Sequence, residues 1–81
     1  MPILRIKVCD ASGAAMSDQS VKVAHGDPLL TNAEGQVQFL TDASAMTVIE
    51  INGAQVWSGV AGSLQKEELF SQTSLGFVRV T

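Results

Sequence analysis

Apolar residues recur at every second position along most of this 81-residue chain, and that period of two limits its fold more than any other feature. A strand sends successive side chains to opposite faces, so alternation marks one face for a core and leaves the other to water. Leu4, Ile6 and Val8 share one face of a first strand, with Arg5 and Lys7 on the other. Val21 and Val23 repeat the pattern around residues 20–25, with Lys22 opposed. Val37 and Phe39 alternate with Gln36 and Gln38. Leu29 to Thr31, beside Pro28, fits a short edge strand, where a missing N–H is tolerated. Leu75 to Thr81 closes the chain as a strand.

The sharpest local signal is Asn52-Gly53 between Thr47–Ile51 and Ala54–Ser58. Asn-Gly is the preferred two-residue hairpin loop because both central positions must accept positive φ. A regular hairpin then pairs Ile51 with Ala54 and Ile49 with Val56 on the core side. It pairs Glu50 with Gln55 and Val48 with Trp57 on the other. An outward Trp on a strand serves as an interface anchor, so Val48, Glu50, Gln55 and Trp57 are the expected partner-binding residues. The competing place for Trp57 is beneath the Ser63–Phe70 segment. That segment reads as one or two helical turns, with Ser63 as N-cap, Leu64, Leu69 and Phe70 apolar, and Glu67-Glu68 on a solvated face. Gly59 to Gly62 reads as a loop.

Strands starting near residues 3, 20, 29, 36, 46, 54 and 75, separated by turn residues, predict an all-β sandwich of about seven strands, with one short helix near residues 63–70. The length allows a single domain over residues 1–81. A hydrophobic fraction of 46% argues for a packed core rather than disorder.

Five Lys+Arg against eight Asp+Glu give a net charge of −3, the wrong sign for a nucleic-acid binder. Cys9 is the only cysteine, so no internal disulfide forms, and with His25 as the only histidine a cysteine-based zinc site has too few ligands. No metal or cofactor is expected. No apolar run reaches the ~20 residues that span a bilayer, and the alternating N-terminus lacks the apolar block of a signal peptide. The expected location is the cytoplasm, or an assembly that is exported as a whole.

Two segments together resemble a known module. Val8-Cys9-Asp10-Ala11-Ser12-Gly13 running on to Val21 follows a strand and then D-x-x-G-x-P-L-x-G-x-x-V, with Ala15 where Pro is usual and Asp18 where Gly is usual. Thr31-Asn32-Ala33-Glu34-Gly35-Gln36-Val37-Gln38-Phe39 follows T-[DN]-x-x-G-x-[FYV]-x-F. This is similar to the carboxypeptidase-regulatory-like and prealbumin-like (Cna-B-type) β-sandwiches, which are immunoglobulin-like in layout, and it covers about the first half of the chain. The resemblance implies a non-catalytic protein-binding or structural role, as an adaptor, an accessory subunit or a homo-oligomer. It also implies, for some members, a Lys in the first strand linked to an Asn in the last. Lys7 is available, but Leu75 to Thr81 holds no Asn or Asp, so no isopeptide is expected. The transthyretin-like hydrolase of purine breakdown, similar in fold, needs more than one histidine and a Tyr-Arg-Gly-Ser tail, whereas this chain has one His and ends Phe77-Val78-Arg79-Val80-Thr81.

Two rival classes remain. A small enzyme would use Cys9 with His25 as nucleophile and base, or Pro2 as an N-terminal base. A carbohydrate-binding sandwich would want several exposed aromatics, and this chain has three Phe, one Trp and no Tyr.

Overall fold

The alternating segments do form strands. The computed structural model describes residues 3–24, 26–40, 44, 46–64 and 66–80, and among these it contains eight strands. They are β1 (Ile3–Cys9), β2 (Ser20–Val23), β3 (Leu29–Leu30), β4 (Gln36–Leu40), β5 (Met46–Ile51), β6 (Ala54–Val60), β7 (Glu67–Thr73) and β8 (Gly76–Val80). One sheet has the order β4-β1-β7-β8 and the other β3-β2-β5-β6, each of four strands. All pairings are antiparallel except that of β1 with β7. Among the described residues, no helix is long and apolar enough to cross a membrane.

The core lies between the sheets. Leu4, Ile6, Val8, Val37 and Phe70 of the first sheet meet Val21, Val23, Ile49 and Ile51 of the second in one buried cluster. Phe70, Ile6 and Ile49 are the largest of the fully buried side chains. Each such side chain contributes about 1.5–3 kcal/mol by leaving water. The edges of β6 and β8 approach along one flank of the sandwich. Strands β3 and β4 edge the other flank.

Residues 63–70 correct the expectation of a helix. Ala61–Ser63 makes a 3₁₀ turn, and Glu67–Thr73 is strand β7, the one added to the seven expected. The strand's period of two runs through a charge. Glu68 is buried in phase with Phe70, while Leu69 is half-buried on the opposite face. A glutamate at an inward position broke the apolar pattern and made the segment look helical. The expected loop at Gly59–Gly62 is also partly strand, since β6 continues to Val60.

The two glycine-containing motifs build one end of the sandwich. Asp10 Oδ1 accepts hydrogen bonds from Ser12 N–H (2.9 Å), Ser12 Oγ–H (2.7 Å) and Ala14 N–H (3.0 Å), which closes the first turn. Buried Thr31 donates its hydroxyl to the Met16 carbonyl at 2.7 Å and accepts from Gln19 N–H at 3.0 Å. Asn32 Oδ1 accepts from Glu34 N–H and Gln36 N–H, at 2.9 and 3.0 Å. Asp18 has φ 58, the left-handed conformation that Gly adopts without strain. Of the two positions at which this chain departs from the motif, the one usually Gly thus keeps the backbone shape a glycine would give. Asp is among the few residues that tolerate that region.

Candidate interaction surface

The β5–β6 hairpin is built around its loop. Asn52 and Gly53 have φ 54 and 86, as a primed two-residue turn requires. The loop is tied to β2: Asn52 N–H donates to the Ser20 carbonyl at 2.7 Å, Ser20 N–H donates to Asn52 Oδ1 at 3.0 Å, and Asn52 Nδ2 donates to Gln19 Oε1 at 2.8 Å. Ile51 pairs with Ala54 and Glu50 with Gln55, as the loop dictates.

Beyond that point the register shifts. A bulge between Ile49 and Glu50 leaves Val56 as the extra residue, so Ile49 pairs with Trp57 and Val48 with Ser58. This corrects the expected pairings of Ile49 with Val56 and Val48 with Trp57. A bulge sets two residues of one strand against one of its partner, and every later side chain changes face. Trp57 therefore stands on the core side, half-buried, and packs with Val56 against the central cluster. Its ring lies over Gly59, where a Cβ would come within 3.0 Å of the indole. Gly59 also has φ +155, so this position suits glycine on both counts.

The outer face of the second sheet keeps the other three expected residues. Lys22, Glu50 and Gln55 form one cross-strand row, with the two charges as direct partners. Val48 and Ser58 form the next row, followed by Met46 and Val60. Met46 is 71% exposed and Val60 44%. The surface is an apolar strip at one end of the sheet bordered by a charged row. Val60 lies in the expected Gly59–Gly62 loop, and Met46 at the start of its strand precedes the Thr47–Ile51 run from which the surface is read.

The residues proposed for catalysis are placed differently. Cys9 is buried, and its thiol donates to the Phe70 carbonyl at 3.5 Å. His25 and Pro2 lie outside the described residues. The neighbours of position 25 are Ala24, which donates its N–H to the Val48 carbonyl, and Gly26. They follow the end of β2 opposite Ser20 and Asn52, whereas Cys9 borders the Asp10 turn at the motif-built end. Among the described residues, no three His, Cys, Asp or Glu side chains gather as a metal site. The four aromatics, Phe39, Phe70, Phe77 and Trp57, all belong to the core or pack against it.

Glu67 and Glu68, expected together on a solvated helix face, point to opposite sides of β7. Glu67 pairs with Arg5 at 3.4 Å on the outer face, with both side chains about half exposed. Glu68, with its side chain 3% exposed, receives Arg79 in a two-pronged contact: Nε to Oε1 at 2.6 Å and the terminal nitrogen to Oε2 at 3.0 Å. The carboxylate pushes the Arg79 guanidinium further toward its charged form, by hydrogen bonding first and by charge. The signal was present in the sequence, since Glu68 is in phase with Phe70 and Arg79 with Phe77.

Comparison with protein-family models, curated proteins and solved structures yields no match to this chain.

Proposed function

We propose that this chain is a non-catalytic protein-binding or assembly module of the prealbumin-like, carboxypeptidase-regulatory-like kind, docking a protein partner through the outer face of the β5–β6 hairpin. One observation carries the reading: the Met46–Val60 pair, with Val48 behind it, forms an apolar strip on a solvent face beside the Lys22–Glu50–Gln55 row. An apolar centre with a polar rim is the composition of a protein interface. Val48, Glu50 and Gln55 are contact residues in this reading, and Trp57 supports them from the core side by fixing the bulge. The motif residues support the family reading in a second way. Asp10, Thr31, Asn32 and Gly35 are all occupied in building turns, so what resembles the family here is its scaffold.

The test is capture of a partner by the immobilised chain, compared with Val60→Lys and Met46→Glu. The expected result is a captured protein whose binding weakens about tenfold or more in both variants, while far-UV dichroism and unfolding midpoint are retained. A captured set identical for all three chains overturns the assignment of this face.

A further inference from the structure

Sheet edges expose unpaired backbone groups, and soluble proteins protect them with short strands, Pro, bulges or inward charges. Three of the four edges here carry such a device. β3 has two residues and follows Pro28. β6 carries the bulge and the positive φ of Gly59. β8 turns Arg79 inward and lies beside β6. β4 carries none: Gln36-Val37-Gln38-Phe39-Leu40 is five residues in unbroken register with β1, without charge, Pro or Gly. Leu40 (68%) and its cross-strand partner Ile3 (54%) are both exposed beside it.

We propose that β4 pairs with β4 of a second copy of this chain, antiparallel and centred on Phe39, joining two four-stranded sheets into one of eight. This deepens the assembly reading above and rests on it. The register follows from which backbone groups are free. Val8 N–H donates to the Gly35 carbonyl, so residues 35, 37 and 39 turn their backbone groups toward β1. Residues 36, 38 and 40 turn theirs outward. Gln36 is already satisfied, because its N–H donates to Asn32 Oδ1 and its carbonyl accepts from Asn32 N–H. Gln38 and Leu40 have no such partner among the described residues. A two-fold axis at Phe39 pairs Gln38 with Leu40 of the partner subunit, and Leu40 with the partner's Gln38, through four N–H···O bonds. Among the described residues, this is the two-fold register that pairs the two free residues with each other.

The side chains agree with that axis. Phe39 is half-buried on the core side at the open flank, and across a non-hydrogen-bonded pair it meets the partner's Phe39. Among the described residues of β1 and β4, the outward charges, Arg5 and Lys7, lie one strand in from the edge. Across the axis they stand three strand spacings apart, about 14 Å, beyond a screening length of about 8 Å. An interface of two short strands is small, so the dimer is weak, with a dissociation constant of about 10 μM to 1 mM.

Sedimentation velocity of the whole chain across that concentration range tests the pairing. The expected result is a monomer–dimer equilibrium whose dissociation constant rises about tenfold or more in Gln38→Pro. That change removes an outward N–H and leaves the β1–β4 ladder intact, so the far-UV spectrum is retained. An independent measurement uses the two exposed positions themselves. Gln38→Cys chains mixed with Leu40→Cys chains form an intermolecular disulfide under mild oxidation faster than either alone, because hydrogen-bonded partners stand about 5.5 Å apart. A chain that stays monomeric throughout the range overturns the proposal, as does a dimer indifferent to Gln38→Pro that cross-links no faster in the mixture. Either result leaves the hairpin-face reading intact, because that reading is judged by the Val60→Lys capture.

Discussion

Gly35 sits directly against the carbonyl of Val8: a Cβ at position 35 would stand 2.5 Å from that oxygen, and Val8 N–H donates to the Gly35 carbonyl at 2.8 Å. The backbone at Gly35 also has φ +75. Close approach and left-handed conformation thus coincide where the second motif meets the end of β1. Gly35→Ala is expected to lower stability by about 3 kcal/mol or more, since it adds backbone strain to a clash that side-chain rotation cannot relieve. Chemical denaturation measures it, with Gly13→Ala as a milder comparison because nothing lies within 4 Å of a Cβ there. Equal losses at the two glycines would remove the special role of the Val8 contact.

The Glu68–Arg79 pair predicts an ordering of variants. Arg79→Met removes the guanidinium that the buried Glu68 carboxylate receives and is expected to lower stability. Glu68→Leu combined with Arg79→Met removes both charges and is expected to recover part of that loss. Urea unfolding of the three chains checks the order, and a double variant no better than Arg79→Met contradicts it.

Asp10 predicts a pH dependence. The Ser12 hydroxyl, followed by the Ala14 N–H and the other backbone donors of the turn, holds the Asp10 carboxyl below its ordinary value of 3.8. A depressed native pKa means that the unfolded chain binds more protons in the window between the two values. The contribution is therefore fully present above pH 3.8 and is lost as pH falls through the native value. Unfolding midpoints of the natural chain and Asp10→Asn, followed from pH 6 to pH 2, are expected to converge at the acid end. A constant gap between them contradicts the assignment.

Trp57 predicts an optical result. Turned to the core side and packed with Val56, it is expected to emit to the blue of free tryptophan and to shift red on unfolding. Gly59→Val crowds the indole and strains the backbone, and is expected to move the emission toward the unfolded value and lower the midpoint. A native emission already at the solvent-exposed maximum would place the ring outside.

Much of the fold was legible because its elements obey local rules. The alternation of Leu4, Ile6 and Val8, the Asn52-Gly53 loop and the glycine motifs each depend on a few neighbouring residues, and each appears in the structure as read. Strand β7 was hidden because Glu68 occupies an apolar position, where it meets Arg79 eleven residues away. The face of Trp57 was hidden because a bulge shifts register without any required residue type. Of the expected surface, Val48, Glu50 and Gln55 share the outer face and Trp57 does not.

The sequence by itself determined that this is a β protein, where most of its strands begin, and which faces of them are apolar. Those properties follow from side-chain period and turn chemistry, which act over a few residues. Tertiary structure alone decided that β1 runs parallel to β7, that a glutamate can face the interior, that Trp57 points inward and that, among the described residues, β4 is left as an edge. Each of these depends on contacts between residues far apart in the chain, and no local pattern encodes which distant partner satisfies a given backbone group or charge.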